Sequence, residues 1–120
     1  MMHMSDHRVS ELTAAVLRHR DERNWAQFHS PKELAISLCV ESAELLGLMQ
    51  WKTDQELAQA VSAKRDRIRD ELADVLHSAL LLADHLRFSL GDALLDKLGK
   101  DAAKYPVDKA KGRNVKYDEL

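Results

Sequence analysis

The sequence predicts an all-α fold, a four-helix-bundle-like arrangement. Three observations carry that expectation. Alanine, leucine and the charged helix formers dominate, with charged residues at 32%. Glycine (4), proline (2) and aromatic residues (5%) are too scarce for a strand-and-turn protein. Apolar residues recur at helical spacing between capping signals. At 120 residues, the chain reads as a single domain, 1–120, with one core.

The first helix is expected to start at Ser5 or Asp6, both good caps, and to continue through Val9, Leu12, Ala15, Val16 and His19. Arg18, Arg20 and Arg23 load its C-terminal end, where cations suit the helix dipole. Residues 24–29 read as a connection holding Trp25 and Phe28. Ser30-Pro31-Lys32-Glu33 then opens a second helix to about Gln50 or Trp51: a serine cap, proline at the first helical position and glutamate three after the cap. That helix is apolar on most sides, which predicts burial all round. Thr53-Asp54-Gln55-Glu56 is a further capping box, opening a short helix to about Ala63. A long helix follows, from about Lys64 to Arg87, with a buried stripe of Ile68, Leu72, Val75, Leu76, Ala79, Leu80, Ala83 and Leu86. The last spans about Leu90–Lys104 and stops before Pro106. Residues 107–120 read as an extended basic tail.

The overall balance disfavours several functions. The formal net charge is −2, and residues 1–96 carry 11 basic against 16 acidic side chains, so a nucleic-acid-binding field is not expected. Residues 97–120, with 7 basic against 4 acidic, are the only net-positive segment. No apolar run approaches the roughly 20 residues of a membrane span, no basic amphipathic helix suggests a membrane surface, and no signal peptide is visible at the N-terminus. A lone cysteine, Cys39, fits a reducing cytoplasm and is read as a small buried hydrophobe.

Four carboxylates stand out. Glu41 and Glu44 lie three apart in the most apolar helix, and Glu71 and Asp74 lie three apart in the other long one, so each pair shares a face, one turn apart. A carboxylate taken alone into an apolar interior protonates, and four converging would repel. Either the acids reach solvent at a rim, or basic side chains or a divalent cation hold them. An all-oxygen set selects hard ions, Mg²⁺ or Mn²⁺.

The order of motifs resembles the MazG-like nucleoside triphosphate pyrophosphohydrolases, in their dCTP pyrophosphatase branch. Glu41-x-x-Glu44 and Glu71-x-x-Asp74 match the acidic signature. Trp25-x-x-Phe28-His29-x-Pro31-x-x-Leu34, Gln50-Trp51, Lys104-Tyr105-Pro106 and Gly112 with Lys116-Tyr117-x-x-Leu120 extend the likeness across residues 21–120. The resemblance implies an α-helical bundle, commonly a homotetramer, with a dimer as the alternative. It also implies Mg²⁺ held by Glu41, Glu44, Glu71 and Asp74, and cleavage of a (deoxy)nucleoside triphosphate, dCTP or a related one, to monophosphate and pyrophosphate in nucleotide-pool house-cleaning. Glu41, Glu44 and Glu71 are then the catalytic candidates, with Glu41 or Glu44 orienting or deprotonating water. Trp25, His29 and Trp51 are candidates for the base, with packing as the alternative for the tryptophans and capping for His29. Lys97, Lys104, Tyr105 and Lys116 are candidates for the triphosphate, with a solvated basic tail as the alternative. His77, three after Asp74, is read as a core histidine. Three departures stand out: Gly47 where relatives often carry a third acid, Asp101 where they often carry asparagine, and Ser78 where many dCTP-selective members carry an aromatic ring. The rival readings are a non-catalytic helical nucleotide-binding or assembly module and a di-iron bundle. The latter wants Glu-x-x-His, which neither pair provides.

Overall fold

A computed structural model describes residues 7–120. Every regular element among them is helical, so the fold is all-α as expected. The chain divides into two compact units, broken after Arg87.

The first unit holds α1 (Val9–Glu22), a 3₁₀ turn (Ala26–Phe28), α2 (Pro31–Gly47), α3 (Asp54–Ala63) and α4 (Arg65–His85). Helix α4 is the hub: α2 packs along it, and α1 and α3 also touch it. Ser5 and Asp6 lie outside the described residues. The cap of α1 is Arg8, which makes no side-chain cap bond. At the far end of α1, Asn24 adopts a left-handed φ of 55°, the conformation asparagine tolerates best after glycine. Trp25 N–H donates to Arg20 O at 3.0 Å and Asn24 N–H to Asp21 O at 3.1 Å, a Schellman turn that folds Trp25 back toward the helix it follows.

Helix α2 starts as expected: the Ser30 hydroxyl accepts from Glu33 N–H at 3.1 Å, with Pro31 at the first position. It ends at Gly47, earlier than Gln50 or Trp51. The next residues tighten into a turn, with Gln50 N–H on Leu46 O, and Trp51 takes φ 67°. The Thr53 capping box forms, with Glu56 N–H on the threonine hydroxyl at 3.2 Å.

Burial follows a stripe rather than the whole circumference of α2. Leu34, Leu38, Glu41, Leu45 and Leu48 recur at the four-three spacing of a helix seam and are the buried or half-buried positions, while Ile36, Val40 and Leu46 are exposed. The expectation of all-round burial is therefore corrected: among the described residues, burial on α2 is confined to one face. The α4 stripe is also rotated from the expected one. Ile68, Glu71, Val75, Ser78 and Leu82 lie inward with Leu80, Leu81 and Ala83, whereas Leu72, Leu76 and Leu86 are exposed. Cys39 is exposed as well, on an uncovered flank of α2, and not the buried hydrophobe expected.

The second unit holds α5 (Leu90–Lys104), α6 (Val107–Ala110) and a 3₁₀ turn (Tyr117–Glu119). Helix α5 has the expected bounds, and Ser89 caps it by accepting from Asp92 N–H at 3.1 Å. The extended tail is not found. Pro106 starts a short helix, Arg113 donates to Glu119 O at 3.3 Å, and the Tyr105 and Tyr117 rings meet edge-on at 6.1 Å. Tyr117 also takes the Lys104 ammonium over its face at 4.9 Å, an attraction of cation for ring that keeps the segment folded on itself. No helix among the described residues is long and apolar enough to cross a membrane.

Candidate functional site

The seam between α2 and α4 carries acids where the pattern calls for leucines. Glu41 and Glu71 occupy inward stripe positions. Glu44 and Asp74, three residues on, sit one turn away at the exposed edge of the same faces. One oxygen each from Glu41, Glu44 and Glu71 lies within 4.8 Å of the other two. Glu41 Oε2 and Glu71 Oε2 are buried and have no hydrogen-bond partner. Buried polar atoms are almost always satisfied, so two such carboxylate oxygens in one cluster mark a place for a shared proton, a water or an ion.

The electrostatics agree. Burial, and then the nearby Glu44 and Asp74 charges, push the Glu41 carboxyl up to about 7. Burial first and Glu44 second also raise Glu71. Among the described residues, no ion pair holds any of the four acids. Among the described residues no basic side chain pairs with the cluster, and its carboxylate oxygens are close enough together to hold a metal ion. Asp74 stands apart from the close set. It lines an adjoining cavity together with Glu41, and its charge raises both Glu41 and Glu71.

That cavity, about 280 Å³, runs along the seam. Glu41, Ser37 and Leu34 line it from α2, in successive turns. Asp74, His77 with Ser78, and Leu81 line it from α4, also in successive turns and in the opposite chain direction. The third wall comes from the end of α1 and the segment after it: His19, Arg20, Trp25 and His29. Trp25 and His29 therefore share a cavity with Glu41 and Asp74. His77 is on the wall too, rather than sealed in the core.

His19, Arg20 and Ser37 were not singled out as site residues. The signal for His19 was present: it continues the Leu12–Val16 face of α1, which meets α4. Its ring sits edge-on to His77 at 5.8 Å and to Trp25 at 5.7 Å. Arg20 carries the same kind of signal, four residues after Val16 and half-buried on α1 itself, while the Schellman turn brings Trp25 onto the cavity. Burial lowers the imidazole pKa of His29, helped by the Arg20 charge, and burial lowers that of His77, helped by His19. Trp51 is not on this wall and is 88% exposed within the chain. In the second unit, Lys97 pairs with Asp101, while Lys104 and Lys116 both lie over the Tyr117 ring.

Comparison with known proteins gives a consistent family. The model of the MazG-like family matches residues 36–120. The chain is 38% identical over 101 residues to dCTP pyrophosphatase 1 of Bos taurus, covering 82% of this chain and 60% of that one. It is 40% identical over 101 residues to dCTP pyrophosphatase 1 of Homo sapiens, covering 82% and 59%. The chain thus spans about three-fifths of the length of these curated relatives. Among solved structures, a pyrophosphatase from Archaeoglobus fulgidus DSM 4304 superposes with a TM-score of 0.78 at 34% identity, covering 88% of this chain and 99% of that one.

Proposed function

The chain belongs to the MazG-like family, and from that premise we propose that it hydrolyses (deoxy)nucleoside triphosphates, dCTP or a related one, to monophosphate and pyrophosphate in nucleotide-pool house-cleaning. The observation that carries the reading is the pair of buried, unpartnered oxygens on Glu41 and Glu71 beside a cavity of about 280 Å³. Glu41, Glu44, Glu71 and Asp74 would hold Mg²⁺, with Mn²⁺ as the alternative hard ion. When bound, such a cation neutralises triphosphate oxygens and acidifies water.

The chain's own groups do the rest. Glu41 or Glu44 orients the attacking water and accepts its proton. The water oxygen bonds to the α-phosphorus as the bond from that phosphorus to the bridging α–β oxygen breaks, and pyrophosphate leaves with that oxygen. Trp25 offers an indole face on which a nucleobase stacks. His29, its pKa lowered, is neutral at pH 7 and offers one donor and one acceptor. Lys97, Lys104 and Lys116, with the Tyr105 hydroxyl, are proposed for the triphosphate from their chemistry, in the net-positive segment. Trp51 is proposed for the base of a nucleotide bound by a second copy, in keeping with its exposed indole and with the uncovered Val40, Leu46, Leu72 and Leu76. The assembly proposed is a homo-oligomer, a tetramer before a dimer, in the cytoplasm.

The test is product analysis with each deoxynucleoside triphosphate and Mg²⁺, by phosphorus NMR. Monophosphate with pyrophosphate, abolished by chelator, is the expected result. Intact triphosphate with both Mg²⁺ and Mn²⁺ would replace this reading with the non-catalytic binder, and diphosphate with orthophosphate would move the point of attack.

A further inference from the structure

Among the described residues, Arg20 is the one lysine or arginine on the cavity wall, and the fold holds it far from the acids. Along α4, Asp74 and Leu81 are seven residues apart, about 10 Å at the helical rise. The cavity spans that distance, with its carboxylates at one end only. Arg20 lies toward the other end, its Nη1 at 4.0 Å from Asp84, one turn beyond Leu81. The side chain is only 19% exposed. Its Nε donates to Asp21 Oδ1 at 2.8 Å and its Nη2 lies at 2.8 Å from the same oxygen as an ion pair, while Nη1 is beyond hydrogen-bond reach of Asp84. Asp21 therefore steadies the guanidinium plane from outside, and the Nη1 edge has donors to spare.

A nucleotide with its phosphates at the acids extends its base toward Leu34 and Leu81. The edge farthest from the sugar then meets Arg20. That edge distinguishes bases: uracil, thymine and guanine present a carbonyl oxygen there, whereas cytosine and adenine present an amino group. A guanidinium only donates. Facing an amino group, it would leave donor against donor in a mostly enclosed wall, a mismatch costlier than a missing contact. Buried Ser78 lines the same stretch and takes up little room, leaving space for the base to reach Arg20.

The geometry points to Arg20 as a specificity-determining residue that favours bases with an oxo group, dUTP, dTTP or dGTP, over their amino counterparts dCTP and dATP. This rests on the reading of the acids as the phosphate end. It departs from the cytosine in the names of the mammalian relatives.

The test is equilibrium binding of non-hydrolysable α,β-imido deoxynucleoside triphosphates with Mg²⁺, by calorimetry. The uracil analogue is compared with the cytosine one, and the guanine analogue with the adenine one. The unmodified chain is expected to bind the oxo member of each pair roughly tenfold more tightly. Arg20→Leu should bring both ratios close to one. Arg20→Lys, which keeps the charge and loses the planar fork, should lower them and serves if the leucine variant does not fold. Equal or tighter binding of the amino members by the unmodified chain would overturn the inference. So would Arg20→Leu weakening both members of a pair equally, or binding of no analogue at all. Oxo-selective binding without pyrophosphate release from any natural triphosphate would sustain this inference and overturn only the hydrolase.

Discussion

The α2–α4 seam has two kinds of layer. At Leu48, which closes α2, and at Leu34 and Leu81, which wall the far end of the cavity, the inward positions are apolar and buried. Between these, Glu41 and Glu71 hold the same kind of position with carboxylates, two of whose oxygens have no partner. Layers of one kind stabilise the helix pair, while the other kind strains it and can bind. The same periodicity builds both, so the chemistry comes from two substitutions in an otherwise ordinary seam and not from a special backbone.

The sharpest way to break this contrast is to swap the behaviour of the layers. Glu71→Gln keeps the shape and removes the charge. Pyrophosphate release should fall by about 10²–10⁴-fold, while the thermal midpoint of the metal-free protein should rise, because an unpaired buried charge is gone. Near-normal turnover, or a lower midpoint, would mean the acids are structural. The converse is Leu48→Ala in the apolar layers, where 5% exposure marks a filled site. It should cost about 2–5 kcal/mol in denaturant unfolding, with turnover per folded molecule much less affected.

Proton linkage probes the same contrast. Glu41 titrates in the metal-free fold at about 7, above its ordinary 4.5. Between those values the folded chain holds a proton that the unfolded chain has released, so stability falls as pH rises through the window. The contribution is fully present below 4.5 and lost above 7. Relative to Glu41→Gln, in which the opposing contributions of His29 and His77 remain, thermal midpoints should therefore drop from pH 5 to pH 8, and Mg²⁺ should offset the drop at pH 8 by pairing the ionised cluster. A midpoint unaffected by Mg²⁺ at pH 8 would argue against a cation there.

What could be read in the sequence was what depends on near neighbours. Ser30, Thr53 and Ser89 each cap from within four residues, and helices α3 and α5 have their expected bounds. The i,i+3 spacing of the four acids likewise holds on any helix. What could not be read depends on tertiary partners. Leucines at 72 and 76 are identical in pattern to buried ones, and only the position of α1 and α2 around α4 decides which side is covered. Trp25 reaches the cavity wall because Asn24 turns the chain back after α1, a geometry set by the fold around it. Tyr117 folds back on Tyr105 and Lys104 across twelve or more residues, which a basic composition alone reads as a tail.

The smallest effect sharpens the comparison most finely, because it uses two caps of the same chemistry at different distances from the cavity. Ser30 and Thr53 each accept a hydrogen bond from the residue three ahead, at 3.1 and 3.2 Å. Replacing either by alanine should cost about 1 kcal/mol in denaturant unfolding. Ser30 follows His29 directly, on the cavity wall, and sets the entry angle of the helix that carries Glu41. Thr53 opens α3, which contributes nothing to that wall. Equal losses of stability should therefore come with unequal kinetics: Ser30→Ala should raise KM several-fold, and Thr53→Ala should leave it unchanged. If both variants shift KM alike, global loosening and not the local seating of α2 governs the site, and the division of the seam into stabilising and binding layers fails.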